Sequence, residues 1–321
     1  MSKNYFSLFL LTAALALVGP AAQAQTDLLG DLEKTAPVQT KREVVQATFK
    51  ATHIINSQSV EIQGPGTLNF IIQHRFGTLN EGAYALWGLD NAVIRFSFEY
   101  GLTDRLSLGV GRSSFGKTYD SFVKYRALRQ TSGAGAMPVS LTLLASSAIM
   151  TQRIAVAPGE AARTASSRLA YTYQALIARK FSPELSVQLM PTLVHRNFVP
   201  FHLDKNDVLA MGIGFRQKIT KRTAITGDYF YLLPGTKSRD TFSPVANPDG
   251  SFPRLALAMR NSLGIGVDIE SGGHVFQLHL TNAKGMSESV FIPQTTGRFE
   301  KGDIYFGFAI NRNFTVKSNL N

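Results

Sequence analysis

The chain of 321 residues contains no cysteine. Disulfide bonds, thiol catalysis and thiolate metal sites are therefore excluded. After residue 24, long apolar runs are also missing, and no stretch approaches the ~20 apolar residues that a transmembrane helix requires. If the chain crosses a membrane, it must do so as a closed β-barrel, because only helices and closed barrels satisfy every backbone polar group in lipid.

The N-terminus has the organisation of a secretory signal peptide. Lys3 forms a short basic region, residues 5–18 are apolar, and Ala22-Gln23-Ala24 is a small-residue cleavage site. We predict cleavage after Ala24, so that residues 1–24 are removed; a retained N-terminal membrane anchor is the alternative. The chain carries a formal net charge of +11. Because an exported chain does not meet nucleic acid, this charge favours contact with acidic lipid headgroups or anionic solutes.

Period-2 alternation dominates the rest of the chain. Near the C-terminus, Ile304, Phe306 and Phe308 fall on one face of an extended segment, and the residues between them fall on the other. Such a pattern over ~10 residues is the length of a tilted transmembrane strand. We predict strands at residues 67–76, 91–100, 105–115, 119–130, 138–151, 168–181, 184–198, 206–219, 223–234, 254–270, 273–282 and 302–316.

The connections between these segments, apart from the third, alternate between long and short. This alternation is typical of a barrel with tight periplasmic turns and longer outer loops. We therefore predict an all-β protein, in which residues 67–316 form a transmembrane up-and-down antiparallel β-barrel of about 12 strands. Residues 25–66 are predicted to be either a periplasmic N-terminal segment or a plug inside the barrel. A secreted soluble β-sandwich is the alternative fold.

One face of the predicted strands is apolar, whereas the opposite face carries charges and glycines. This second face is predicted to line the lumen, through Arg75, Arg95, Glu99, Lys124, Arg126, Arg260 and Asp268. Two roles are open for these side chains. They select anionic solutes, or they form structural pairs, such as Arg95 with Glu99 and Arg260 with Asp268, because buried charges require partners or water.

Motifs of enzymes and of metal or cofactor sites are missing from the sequence. The six histidines are not spaced as a metal pair. Ser262 and His279 are predicted to face the lumen from neighbouring strands, which is the wrong side for a lipid-hydrolysing Ser-His pair. We therefore predict no enzyme activity, no catalytic residue, no metal and no cofactor.

Several stretches carry a family resemblance. They are residues 49–56, 74–82, 87–92, 99–105, 109–114, 117–120 and 302–308. Together they resemble an uncharacterised, porin-like family of outer-membrane β-barrels from Bacteroidetes-type bacteria, over most of residues 45–316. The resemblance implies an outer-membrane barrel, but no activity, substrate or site residue.

The sequence thus favours a porin-like passive channel for small anionic solutes in the outer membrane. The alternatives are a closed structural barrel that binds a periplasmic or surface partner, and, less favoured, an outer-membrane lipid hydrolase. The expected partners are outer-membrane lipids and the barrel-assembly machinery, which would recognise the aromatic end of the last strand at Phe314. No nucleic acid is expected. The loop 234–253 is a candidate constriction or partner-binding loop, with a solvated surface loop as the alternative.

Overall fold

A computed structural model describes residues 42–153, 164–199, 205–235, 241–242, 248–250, 254–255 and 259–316. The predicted signal peptide and most of the loop 234–253 lie outside these residues. The elements below belong to one compact unit, Glu43–Ser132 with Ala136–Asn321. Its twelve-stranded barrel consists of β1 (Thr67–Thr78), β2 (Ala92–Gly101), β3 (Leu106–Ser113), β4 (Thr118–Leu128), β5 (Ser140–Met150), β6 (Leu169–Lys180), β7 (Leu185–Arg196), β8 (Asp207–Lys218), β9 (Thr223–Leu232), β10 (Ser262–Ser271), β11 (His274–Thr281) and β12 (Tyr305–Thr315).

Each strand pairs antiparallel with its neighbours in sequence, and β12 closes the barrel on β1. The predicted fold and the number of strands are therefore confirmed. The largest error in a predicted boundary is at the tenth strand, which begins at Ser262 rather than at residue 254. Just before it, the backbone N–H of Arg260 donates to the carbonyl of Thr295, 2.7 Å away, so this residue is held by a loop instead of a neighbouring strand.

Strand β2 shows how the two faces differ. Arg95 and Glu99 are 2 % and 1 % exposed, whereas Phe96 and Phe98 on the opposite face are 42 % and 46 % exposed. In a closed barrel the buried face is the interior, so the apolar face is the outer surface. A shift of register by one residue would place the charges outside, and the alternation therefore fixes the register.

The interior is filled from one end by residues 48–63, which we call the plug. All residues from 51 to 60 are buried. The plug folds as a short hairpin, in which His53 pairs with Gln58 and the Ile54 N–H donates to the Ser57 carbonyl over 2.8 Å. The sequence left two placements open for residues 25–66. Residues 25–41 lie outside the described residues, and residues 51–60 are buried in the barrel interior.

From the other end the interior is filled by residues 283–297, which we call the inner loop. Its helix α1 (Glu288–Phe291) is buried, and the ring of Phe291 packs edge-on against that of Phe230 on β9, with centroids 5.2 Å apart. Part of the barrel interior is thus an apolar core, formed by Leu144, Leu176, Met190, Val194, Val208 and Phe230 with plug and loop side chains. Among the described residues, no helix is long and apolar enough to cross a membrane.

Candidate functional site

The tip of the plug is held by one carboxylate of the barrel wall. Asp228 on β9 is 3 % exposed, and it accepts hydrogen bonds from the backbone N–H groups of Ile55, Asn56 and Ser57 at 3.3, 2.7 and 2.8 Å. The side chains of Asn56 and Ser57 donate to it as well, at 2.8 and 2.9 Å. Successive N–H groups around one anion form a nest, so Asp228 anchors the hairpin tip by charge and by geometry.

Arg75 on β1 joins the plug to the inner loop. Its Nη2 donates to Asn56 Oδ1 over 2.9 Å, and its Nη1 donates to the carbonyl oxygens of Ala283 and Gly285. The side chain is 1 % exposed. One guanidinium therefore fixes the point at which the two filling segments meet.

Lys124 on β4 binds the stem of the plug. Its Nζ donates to three plug carbonyl oxygens, those of Thr52, Ser59 and Glu61, at 3.1, 3.2 and 3.2 Å. This ammonium is 1 % exposed. The carbonyls satisfy its donors but do not neutralise its charge, so the plug replaces water around a buried cation.

Arg95 forms an ion pair that the sequence analysis assigned to the wrong partner. Its guanidinium donates to both carboxylate oxygens of Asp120 on β4, two strands away, instead of to Glu99. The strand between them carries Gly111 at this level, where a Cβ would lie 2.6 Å from Arg95 Nη2 and 2.9 Å from Asp120 Oδ2. The missing side chain creates the gap in which the pair forms.

Two titratable groups of the filling segments have shifted pKa values. Burial lowers the pKa of His53, and the nearby cations Lys124 and Arg95 lower it further; its Nδ1 lies 3.5 Å from Glu99 Oε1. Burial raises the pKa of Glu288 in α1 to about 7. The inner loop therefore contains a carboxyl group that changes charge near neutral pH.

The other predicted lumen residues are spread over the wall. Asp268 is 2 % exposed on β10 and accepts from Gln277 Nε2 over 3.0 Å. Arg126 faces inward on β4, partly buried, with its Nη2 3.5 Å from Glu61 Oε2. Arg260 is exposed and precedes β10. The predicted pair of Arg260 with Asp268 is therefore wrong, because Arg260 does not lie on the strand that carries the inward-facing Asp268.

Several plug anchors were not identified from the sequence. Gln188 on β7 accepts from Val60 N–H over 2.6 Å and donates to the Gln58 carbonyl over 2.8 Å. Gln277 on β11 donates to the carbonyl of Ile54 over 2.9 Å. Glutamines on the inward face of predicted strands were the available signal, but nothing local identifies the plug as their partner.

The chemistry of the interior is that of a packed hydrogen-bond network. The described residues contain no group of three or more His, Cys, Asp or Glu side chains that could hold a metal ion. Ser262 Oγ and both ring nitrogens of His279 have no hydrogen-bond partner among the described residues, so these two side chains are not bonded to each other. These contacts hold the two filling segments in place and bury several cations away from solvent.

Residues 49–314 match the family model described as a membrane bound beta barrel domain (DUF5777). The match begins inside the plug, so the plug is part of the family domain. The chain matches none of the curated proteins with which it was compared.

Outer-membrane proteins are among the solved structures that the chain matches. The KdgM porin shares 9 % identity at a TM-score of 0.42, with 77 % of this chain and 99 % of that chain covered. An outer membrane channel from Pseudomonas putida F1 shares 12 % at 0.43, with 79 % and 97 % covered. Omp33 from Acinetobacter baumannii shares 8 % at 0.38, with 78 % and 100 % covered.

Proposed function

The chain belongs to the family of membrane bound beta barrel domains (DUF5777), and from this membership we propose that it is a porin-like channel of the outer membrane whose lumen is closed by its own plug. Small anionic solutes pass passively when the plug withdraws. Export through a signal peptide cleaved after Ala24, contact with outer-membrane lipids, and recognition of the strand end at Phe314 by the barrel-assembly machinery are parts of the same proposal.

The observation that carries the proposal is the way in which the interior cations are satisfied. Among the described residues, Lys124 donates hydrogen bonds to carbonyl oxygens of the plug, and Arg75 donates to the plug and the inner loop. If the plug withdraws, these groups remain on the wall without their acceptors. A lumen lined by such cations attracts anions.

The plug is suited to withdrawal because it is a hairpin attached at one end of the barrel. Its stem lies near the short turns, where Lys50 Nζ is 3.0 Å from Glu270 Oε2 and Lys180 Nζ donates to the Gln46 carbonyl over 3.0 Å. These contacts are partly exposed, and exposed ion pairs contribute little stability. The buried anchors at the tip therefore dominate the free energy of opening.

A reversible disulfide tests whether the plug is the gate. A Cβ at Gly264 would lie 2.6 Å from Ile55 Cγ2, so Ile55→Cys with Gly264→Cys places two Cβ atoms within bonding range, and the chain has no other cysteine. Single-channel conductance of the double variant is measured in a planar bilayer with a salt gradient. We expect anion-selective openings under reducing conditions and none after oxidation.

Each single cysteine variant is the matched control, since it cannot form the crosslink. Openings that continue unchanged in the oxidised double variant would show that ions do not follow a path controlled by the plug. Absence of conductance under every condition would favour the second candidate, a closed structural barrel that binds a periplasmic or surface partner. That candidate is supported by the plug contacts themselves, which involve strands on opposite sides of the barrel. We propose no catalytic role.

A further inference from the structure

Arg75 is a buried cation without a carboxylate in ion-pair contact among the described residues. Its hydrogen-bond acceptors are two carbonyl oxygens and the amide oxygen of Asn56, all of them neutral. Asp228 is the carboxylate beyond Asn56, and it is already surrounded by donors of the plug tip. A buried charge that lacks a close counter-charge is costly, so the surroundings of Arg75 require further compensation.

His279 faces Arg75 across a gap in the wall. Both residues have Gly307 on β12 as their cross-strand neighbour, one from each side. Because Gly307 has no side chain, the His279 ring lies over it, with Nε2 at 2.5 Å from the position of a Cβ. The arrangement repeats that of Arg95, Gly111 and Asp120, except that a neutral imidazole stands where the other gap has a carboxylate.

The gap contains polar atoms that nothing satisfies. Arg75 Nε and both ring nitrogens of His279 are buried and have no hydrogen-bond partner among the described residues. Arg75 is 1 % exposed and His279 is 4 % exposed. The Nε–H of the arginine is a donor, and the neutral imidazole supplies one N–H donor. Two unsatisfied donors beside an uncompensated positive charge are the chemistry of an anion site.

We propose that a small inorganic anion, of the size of chloride, binds between Arg75 Nε and the ring of His279. The anion accepts a hydrogen bond from each residue and neutralises the guanidinium, whereas a water molecule would satisfy hydrogen bonds and leave the charge. This site belongs to the closed barrel and does not depend on solute passage. It locks the junction at which Arg75 holds the plug and the inner loop.

The test uses the full mature chain refolded in detergent. Its unfolding temperature is measured as chloride replaces gluconate at constant ionic strength, so that screening does not change. We expect a saturable rise with chloride, because a ligand that binds only the folded state stabilises it. Crystals grown in sodium bromide are expected to show an anomalous scattering peak between Arg75 and His279.

Variants distinguish this site from general salt effects. His279→Leu removes one donor and is expected to raise the half-saturating chloride concentration about tenfold, the effect of losing one hydrogen bond to a charged group. His279→Phe keeps an aromatic ring but has no donor, and is expected to weaken binding similarly. His274→Leu, on the outward face of the same strand, is the matched control and keeps the wild-type response.

The proposal is overturned if the unfolding temperature does not depend on the identity of the anion, or if His279→Leu and the wild type respond equally. A bromide peak elsewhere, with none at the gap, overturns it as well and leaves water in the gap. If His279→Leu does not fold, His279→Phe decides between these outcomes with the same titration.

Discussion

Asn56 at the tip of the plug donates to both carboxylate oxygens of Asp228, from its backbone N–H over 2.7 Å and from its Nδ2 over 2.8 Å. Asn56 Oδ1 in turn accepts from Arg75 over 2.9 Å. One amide side chain therefore bridges a buried cation of β1 and a buried carboxylate of β9. The closed state depends on this bridge, because neither charge has a partner of opposite sign in hydrogen-bond contact within the described chain.

Asp228→Asn is expected to loosen the plug. The substitution removes the charge and turns one acceptor oxygen into an NH₂ group that faces the donors of residues 55–57. Loss of these charge-assisted bonds is expected to cost about 3 kcal/mol. Hydrogen exchange of the Ile55, Asn56 and Ser57 amides should accelerate about a hundredfold. Asp90→Asn, on an exposed loop residue, is the control, and equal protection in both variants would contradict the anchoring role.

Lys124→Met is expected to reduce anion selectivity. Methionine has similar length but no charge, so the open lumen loses one cation, and the three carbonyl oxygens of the plug lose their shared donor. Under a salt gradient the reversal potential should move toward zero, while opening becomes more frequent. Lys221→Met changes an exposed lysine in a short turn and should leave the reversal potential unchanged. An identical reversal potential in the two variants would show that Lys124 does not contribute to anion selectivity.

The strands could be predicted because their information is local. In β12, Phe306 and Phe308 lie outside, and Gly307 and Ala309 lie inside. This alternation can be recognised from consecutive residues alone, and the same holds for the other barrel strands. A bilayer strand needs one apolar face, so the pattern leaves few alternatives. The exception is the predicted strand that begins at residue 254. Arg254 and Leu255 pair instead with Phe242 and Thr241 in a separate two-stranded sheet, and the Arg260 N–H donates to the Thr295 carbonyl of the inner loop.

The interior could not be predicted because its contacts join distant residues. Arg95 and Glu99 share a face of β2 and suggest a pair. Arg95 instead pairs with Asp120 across the gap at Gly111, and this contact depends on the register of three strands. The plug carries no periodic signal, because its polar backbone groups are satisfied by wall residues such as Gln188 and not by a ladder. Inward charges were thus identifiable, whereas their partners were not.

Gly101→Ala is expected to destabilise the barrel where the plug returns to β1. A Cβ at Gly101 would collide with the carbonyl oxygen of Gly64, a backbone atom that cannot move aside like a side chain. Overpacking of this kind costs about 3 kcal/mol. Gly64→Ala is the matched control from the same contact, since its Cβ would meet only Thr67 Oγ1 at 3.8 Å. The denaturation midpoint of Gly101→Ala should fall below that of Gly64→Ala. Equal midpoints in the two variants would show that the chain at Gly64 is not packed against β2.

Glu288→Gln is expected to stabilise the inner loop, and to do so only above acidic pH. Burial raises the pKa of Glu288 from 4.5 to about 7 in the closed state. Below pH 4.5 the carboxyl group is protonated whether the loop is closed or open, so it has no effect. Between pH 4.5 and 7 the open loop ionises first, and the closed state loses up to about 3 kcal/mol relative to it.

Glutamine retains the shape of the neutral acid and never ionises, so this loss is absent in the variant. Amide exchange of Val290 and Phe291, whose N–H groups donate to the Ser287 carbonyl at 2.9 Å, is compared between wild type and variant at one pH at a time. Equal protection is expected well below pH 4.5, and about a hundredfold greater protection of the variant at pH 8. Glu300→Gln, on an exposed residue, controls for the charge change. A pH-independent ratio would mean that Glu288 stays ionised in the closed barrel, with Arg95 and Lys124 compensating its charge.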